Sequence, residues 1–486
     1  ETADDWRELG RVAWGRDRER SLRAAENAAA LNPENFTAIT FLVQAQAAAG
    51  DYQKAIRSAD IADMIANTPV EQLRARIARL NTHILARDIP AMKATLSEVE
   101  NAIDAVVPIA ETTPVANRLS EGRFRDHPAW IVSSAESTQA SALFNLNAYE
   151  QSIQALERAN EWISLLAPHS NGLTAHNVKT RETKNFELLA QAFSAQDRQS
   201  DAYEAHEKVL ANWTELAESG DASANEAIPI AWAGYGQTAY RFGDIDKART
   251  LYERGQEIII RFAAENPESE DCQMAAEYIE CLMLYLAKDE TPEAFKESYR
   301  TRLASVVQAL ADAPKDEERR GELIVYASTY STALLQEVDE NLEELDWLID
   351  YLRTVSAQMQ MDLGANYFSV LVNYNAEYIA ARVDEQTDDI PAARGHYETM
   401  LSMYDVMVAT PDVQSFDSER FRTELYGLKL GALFKLASFK DEYSPQYARM
   451  GLALSQQLDD AGQLRTSDQY YLKTFGDFVS ELENQE

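Results

Sequence analysis

The sequence has few of the residues that form tight turns. Its 486 residues include only 18 glycines and 14 prolines, too few for the many turns of a β-sandwich or a β-barrel. Hydrophobic residues make up 45% of the chain, enough for a large core. Few turn residues and many apolar residues together predict a mainly helical protein.

Cysteine is rarer still. Cys272 and Cys281 are the two cysteines of the chain, and the pattern around them predicts one helix. A rise of about 1.5 Å per residue would separate them by about 13 Å, too far for a disulfide bond. We therefore expect both thiols to pack as small apolar side chains.

Basic residues are outnumbered by acidic ones, with 45 Lys and Arg against 80 Asp and Glu and a formal net charge of -35. This charge repels phosphate backbones and anionic lipid headgroups, so we do not expect a nucleic-acid partner. Two interpretations of the charge remain open. It keeps a large exported or salt-adapted protein in solution, or it serves the recognition of a basic partner.

Long apolar runs are also missing. The strongest candidate covers residues 278–287 and contains Glu280, whereas a membrane-spanning helix needs about 20 apolar residues. We therefore predict no membrane span. Because the sequence starts with Glu1 rather than Met, we expect that a preceding segment was removed. A secretory signal, a preceding domain and an expression tag each fit. A cleaved signal, which implies a periplasmic or extracellular location, is slightly preferred, and a cytoplasmic location stays open.

Motifs that would indicate catalysis are absent. The chain has no phosphate-binding loop, no dinucleotide-binding glycine motif, no nucleophile elbow and no C-x-x-C pair. None of its six histidines belongs to an H-E-x-x-H motif; after His206 and Glu207, the required position is Leu210. We expect no catalytic residue, no metal and no cofactor, and we expect His206 to pack in the core.

What the sequence does contain is a repeat. Residues 16–35 align with residues 50–69 at an offset of 34. Small residues occupy the same places in both copies: Ser21 pairs with Ala55, and Ala28 with Ala62. Ahead of the first copy, one face of a predicted helix is formed by Trp6, Leu9, Gly10 and Ala13. A 34-residue period predicts stacked helical hairpins.

The clearest copy lies in the middle of the chain. Its first helix carries Trp232, Tyr235, Gly236 and Ala239, its turn is Gly243-Asp244, and its second helix carries Ala248, Tyr252 and Gly255. Small residues at these places let two helices approach closely. A second copy has Phe186, Leu189, Ala190 and Phe193, followed by Ala202 and Val209, and further copies are suggested at 147–160 and 388–400.

These residues resemble the tetratricopeptide repeat, a 34-residue helix-turn-helix unit. The resemblance implies an all-α fold, a right-handed α-α superhelix of antiparallel helix hairpins. The alanines expected to anchor the second helices, Ala202, Ala248 and Ala294, are 46 residues apart. This longer period predicts longer helices in the C-terminal two thirds of the chain.

We predict four regions along the chain. Residues 1–105 form tetratricopeptide units, 106–130 a loop or insertion, 131–300 units with extended helices, and 301–486 a related helical region. Thr466 or Ser467 is expected to cap a final helix that closes the stack. The predicted loop contains three prolines together with Arg118, Arg123 and Arg125, and it is either a plain connector or a partner-binding insertion.

In tetratricopeptide proteins the first helices of the units line a groove that holds the partner. Carried over by position, the groove residues here are Ile230, Ala233, Gln237, Tyr240 and Arg241, then Lys184, Glu187 and Gln191, then Thr37, Thr40 and Gln44. Among these we expect partner contacts from Gln237, Tyr240, Arg241, Lys184, Glu187, Gln191, Thr40 and Gln44. The family's Lys/Asn clamp for a peptide's terminal carboxylate is not reproduced.

The resemblance implies a non-catalytic scaffold or adaptor that binds a peptide or a protein. One alternative is the sensory or regulatory part of a larger signalling protein, as found among bacterial signalling proteins with such repeats. A third hypothesis is a helical-repeat enzyme or solute-binding protein, which the missing motifs disfavour.

Overall fold

A computed structural model gives the structure of the chain. It describes residues 2, 5–7 and 9, and residues 18–483 except 87, 116–123, 171, 266–269, 289, 314–316, 365, 411–418, 462–463 and 465–468. Every regular element formed by these residues is a helix, without any strand. The chain forms two compact units, residues 1–279 and 280–486, and each is described by itself.

The first unit is built from consecutive helices joined by short connections. Its helices are α1 (Arg18–Leu31), α2 (Phe36–Ala48), α3 (Tyr52–Ile65), α4 (Pro69–Ala86), α5 (Ile89–Thr112), α6 (Pro128–Asn145), α7 (Tyr149–Leu166), α8 (Leu173–Ala195), α9 (Gln199–Glu218), α10 (Ala222–Arg241) and α11 (Ile245–Glu265), and α12 (Glu270–Leu286) begins in this unit.

These helices pair as antiparallel hairpins, α2 with α3, α4 with α5, α6 with α7, α8 with α9 and α10 with α11. Each hairpin packs on the next, and the first helices α2, α4 and α6 also contact one another in sequence. The early helices α2 and α3 have 13 and 14 residues, whereas α8 to α11 have 20 to 23. The predicted all-α repeat and its longer later helices are confirmed.

A common turn closes the hairpins. At Gly50 and Gly243 the backbone has φ of 83° and 75°, and Asn147 and Asp197 adopt the same left-handed conformation, with φ of 57° and 58°. In each case the next residue's N–H donates to the carbonyl five residues earlier, at 2.9 to 3.0 Å. This satisfies a carbonyl that the end of the first helix leaves open.

Small residues lie where helices cross, as the repeat predicts. Ser21, Ala28, Ala55 and Ala62 are all buried. A β-carbon on Gly236 would overlap the ring of Tyr252, which lies on the second helix of the same hairpin.

Later anchors follow this rule with one correction. Ala202 and Ala248 are fully buried, but Ala294 is exposed and Phe295 is buried in its place. The predicted anchor at Ala294 was therefore wrong by one residue. The buried position is occupied by the large side chain of Phe295, so a search for recurring alanines does not find it.

The loop predicted over 106–130 is shorter in the structure. Residues 106–112 continue α5, and residues 128–130 begin α6. Pro108 lies inside α5, between the buried residues Val106 and Ala110. Arg118 and Arg123 lie outside the described residues, and Arg125 is exposed.

The second unit continues the same architecture. It contains the end of α12, followed by α13 (Pro292–Asp312), α14 (Glu317–Leu334), α15 (Val338–Leu363), α16 (Tyr367–Gln386), α17 (Ile390–Ala409), α18 (Glu419–Ser438), α19 (Ser444–Asp460) and α20 (Gln469–Glu483). Asp388, between α16 and α17, has φ of 64° and adopts the turn described above. Cys281 is buried, as expected.

The last helix, α20, packs on α19 and α18. Its Phe475 is fully buried, and the ring lies directly over Gly451 of α19, where a β-carbon would overlap it. The predicted capping residues Thr466 and Ser467 lie outside the described residues, as do Gly10 and Ala13 of the first predicted helix. The division of the chain at 105, 130 and 300 stays a prediction.

Candidate interaction surface

Four of the predicted contact residues are exposed on neighbouring first helices of the first unit. Lys184 and Gln191 lie on α8, and Gln237 and Arg241 lie on α10. Ile230, also on α10, leaves 56% of its surface exposed. We call these five residues the α8–α10 face.

The other predicted groove residues differ in their exposure to solvent. Gln44 is exposed on α2, whereas Thr40, Glu187 and Tyr240 are partly buried. Ala233 is only 1% exposed, so its predicted place in the groove was wrong. Its small side chain is buried in the packed helices instead.

Two residues of the α8–α10 face also hold neighbouring helices together. Arg241 donates to Ser194 Oγ at 3.2 Å and to Asp197 Oδ1 at 3.4 Å, at the C-terminal end of α8. Gln237 donates through Nε2 to the hydroxyl of Tyr278 on α12. A substitution at either position would therefore change packing as well as any partner contact.

Glu187 and Thr40 are engaged within the protein. Trp213 Nε1, on α9, donates to Glu187 Oε1 at 2.9 Å. The hydroxyl of Thr40 donates to the carbonyls of Phe36 and Thr37 at 3.0 and 3.1 Å. That these two side chains contact a partner stays a prediction.

Sequence reasoning missed three polar residues that continue the α8–α10 face along α8. Asn177, Thr180 and Arg181 precede Lys184 at the i, i+3, i+4, i+7 spacing that places side chains on one helix face. We call these four residues the α8 donor stripe. This spacing could have revealed the stripe from the sequence. It was missed because the groove positions carried over from the family do not include Asn177, Thr180 or Arg181.

The α8 donor stripe contains unsatisfied donors. The guanidinium of Arg181 lies over the ring of Trp130 on α6, 5.2 Å from the ring centre. With the described residues it makes neither a hydrogen bond nor an ion pair. Asn177 Nδ2 and Thr180 Oγ1 are buried and likewise have no hydrogen-bond partner in the described part of the chain. Arg181 keeps part of its surface accessible, yet burial lowers the pKa of its guanidinium.

On another face of α8 the polar side chains are paired. Lys179 Nζ lies 3.0 Å from Glu215 Oε2 and 3.8 Å from Glu182 Oε2, and it donates to Asn212 Oδ1 at 3.3 Å. Asn212, which is 8% exposed on α9, donates from Nδ2 to Glu182 at 3.4 Å. The polar groups between α8 and α9 are thus paired, whereas those of the donor stripe are not.

A cavity of about 410 Å³ lies between α5, α6 and α7, and its charged lining residues are mainly acidic. Glu136 forms part of its wall and accepts two hydrogen bonds from Arg158, at 2.9 and 2.8 Å. Burial raises the pKa of Glu136, partly offset by Arg158, and the nearby Glu100 and Asp104 raise it further.

The same place in the next repeat, between α7, α8 and α9, forms a second cavity of about 470 Å³. It is lined by both acidic and basic residues, with acidic ones in excess: Glu157, Glu161, Asp201 and Glu204 against Arg198 and Lys208. Both cavities are lined mainly by residues of the second helices.

No sign of a metal site or a membrane span was found among the described residues. No three His, Cys, Asp or Glu side chains in them are arranged to hold a metal ion. Likewise, none of the helices they build is both long and apolar enough to cross a membrane.

No protein-family model and no curated protein matches the chain. Solved structures to which it is similar include a Rap protein complexed with competence and sporulation factor, at 11% identity and a TM-score of 0.41, covering 84% of this chain and 97% of that one. BtubC from P. vanneervenii has 16% identity and a TM-score of 0.38, covering 54% and 92%. Yeast Tom70 has 10% identity and a TM-score of 0.31, covering 99% and 96%.

At these identities the similarity concerns the fold alone, and none of the three TM-scores reaches 0.5. The repeat itself is visible in the chain's own geometry. Antiparallel hairpins, one recurring turn and small residues at the crossings make this a tetratricopeptide-like helical repeat protein.

Proposed function

We propose that the chain is a non-catalytic scaffold whose α8–α10 face binds a peptide or a protein segment. The observation that supports this most directly is the exposure of Lys184, Gln191 and Gln237 beside Ile230 on two adjacent first helices. An exposed apolar side chain among hydrogen-bonding ones suits a protein interface, where an apolar contact is surrounded by polar contacts. Stacked helical repeats present such surfaces because each unit contacts only its neighbours.

The charge of the chain supports a partner with net positive charge. A net charge of -35 attracts a basic protein over distances of about one Debye length, roughly 8 Å at physiological salt. The acidic cavities between the second helices add local carboxylates, including Glu100, Asp104 and Glu161. Attraction of this kind acts mainly on the rate of association and on the choice of partner.

The test begins with capture of a partner by the full chain from an extract of the source organism. The partner is then purified and its binding measured by calorimetry. In the variant Lys184→Ala/Gln191→Ala/Ile230→Ala, which leaves the contacts of Arg241 and Gln237 intact, we expect affinity to fall about tenfold or more, equivalent to about 1.4 kcal/mol.

The matched control is Glu257→Ala/Ile260→Ala, which changes exposed residues of the second helix α11 that line neither cavity. It should bind the same purified partner with nearly wild-type affinity at moderate salt. Equal loss of affinity in both variants, or no loss in the α8–α10 variant, would show that the partner does not bind this face.

A further inference from the structure

Arg181 of the α8 donor stripe differs from other partly buried arginines in the described part of the chain. Arg302 is paired with Glu280, Arg353 with Glu377 and Arg382 with Glu385, at 2.7 to 3.1 Å. Arg181 has only the ring of Trp130. In a chain with 80 acidic residues, this partly buried guanidinium without a carboxylate partner stands apart from those three.

An unpaired charge and two unpaired donors are unfavourable in a partly buried place, because each has lost water without gaining a partner. Here all three lie on one face of α8, within two helical turns. The unsatisfied groups are all able to donate: a guanidinium, an amide N–H₂ and a hydroxyl. Lys184 adds an exposed ammonium group one turn further on. To satisfy these donors, a ligand must accept hydrogen bonds and carry negative charge.

We propose that the α8 donor stripe binds a carboxylate side chain, from Asp or Glu, of the protein segment that occupies the α8–α10 face. This inference rests on the proposed function, because it assigns the chemistry of one contact within that face. The guanidinium of Arg181 lies over the indole of Trp130, and because no acceptor among the described residues takes its N–H groups, they are available for bidentate pairing.

A carboxylate is the anion that the side chains of an unmodified protein segment supply, through Asp and Glu. A partner that is basic overall can still supply one acidic side chain at this point.

The test uses the full chain labelled with 5-fluorotryptophan and ¹⁹F NMR. The chain has seven tryptophans, and the resonance of Trp130 is assigned with the variant Trp130→Phe. The probe is N-acetyl-hexaglutamate amide, which has side-chain carboxylates but no terminal one. We expect a saturable shift of the Trp130 resonance, and in Arg181→Gln we expect the affinity to fall about tenfold or more.

The matched control is Arg198→Gln. The guanidinium of Arg198 also lies over a ring, that of Phe193 at 4.4 Å, but it is paired with Asp201. This variant should bind hexaglutamate as the wild type does. Arg181→Gln should also keep the wild-type melting temperature within about 2 °C, because the lost ring contact is small and the arginine has no carboxylate to leave behind.

Four results would overturn the inference: no saturable shift up to about 20 mM hexaglutamate, an equal shift with N-acetyl-hexalysine amide, an equal shift with inorganic phosphate, or a melting temperature that falls by about 5 °C or more in Arg181→Gln. The last would mean that the guanidinium is paired within the chain. If hexaglutamate fails while the captured partner still depends on Lys184, Gln191 and Ile230, the carboxylate contact is wrong and the scaffold function stands.

Discussion

His206 lies in the core of the first unit with its imidazole stacked on Tyr235, the ring centres 5.0 Å apart and the planes within 10°. Its Nε2 is hydrogen-bonded to Thr238 Oγ1 at 2.9 Å, and the residue is 7% exposed. As expected from the sequence, it packs in the core. Because burial disfavours the charged imidazolium, the pKa of His206 is lowered to about 4.

This pKa makes stability depend on pH. In the unfolded chain the imidazole takes up a proton as the pH falls below about 6.5, but in the folded chain it remains neutral down to about 4. Between these values the unfolded state binds more protons, so stability is lost as the pH falls and is fully present above 6.5. The contribution of His206 to that loss is about 3 kcal/mol.

The measurement compares the free energy of unfolding of the wild type and of His206→Gln at pH 7 and at pH 4. Glutamine can keep a hydrogen bond to Thr238 but does not titrate. The wild type should lose about 3 kcal/mol more than the variant over this range. Parallel pH profiles of the two proteins would mean that His206 is not held neutral.

At the scale of the helical element, the crossing of α10 and α11 depends on Gly236. The ring of Tyr252, which is 2% exposed, occupies the space that a side chain on Gly236 would need. Gly236→Ala should therefore force the two helices apart or displace the ring, and we expect unfolding by denaturant to show a loss of about 1 to 3 kcal/mol. A larger side chain, as in Gly236→Leu, should destabilise the hairpin at least as much.

Gly395 is the matched control because it also lies inside a helix, α17, but has no atom within 4 Å of the place of a β-carbon. Gly395→Ala should leave stability unchanged or raise it by up to about 1 kcal/mol, since alanine favours the helix. If the two variants unfold alike, the close crossing at Gly236 does not exist.

The sequence predicts the helices and their pairing better than it predicts the turns between them. Gly243 was recognisable as a turn residue because glycine adopts a positive φ easily. Asn147, Asp197 and Asp388 form the same turn, but these residue types are common on helix surfaces and give no clear signal. The anchor at Phe295 was missed for a related reason, since a core position accepts either a small or a large residue if its neighbours are complementary.

For the whole molecule, the charge imbalance predicts a response to salt. With a net charge of -35, the folded chain concentrates more negative charge in a small volume than the unfolded chain does. Raising NaCl from about 0.01 to 0.3 M shortens the Debye length from about 30 Å to below 10 Å and should raise the melting temperature by about 5 °C.

The effect should level off above about 0.3 M NaCl, where screening is already short-ranged. A continued linear rise would point to a general salt effect on burial instead of charge screening. A melting temperature that falls with salt would show that ion pairs, such as that of Glu136 with Arg158, contribute more to stability than the net repulsion removes.

The candidate surface was only partly predictable from the sequence. Repeat numbering located Lys184, Gln191 and Gln237 because exposed positions of a helix recur with a fixed period. It could not locate the unpaired state of Arg181, which depends on Trp130 of another helix and on which carboxylates lie nearby. Nor could it foresee that Arg241 reaches Ser194, because contacts between hairpins depend on the stacking distance.

The burial of Asn212 between α8 and α9 has a consequence for production of the protein. Asn212, Trp213 and Thr214 form an acceptor sequence for N-linked glycans. The side-chain amide nitrogen of Asn212, which would carry the sugar, donates a hydrogen bond to Glu182 in the folded protein. A eukaryotic secretory host that modified the nascent chain there would place an oligosaccharide where α9 must pack. Expression in a host without this modification avoids that obstruction.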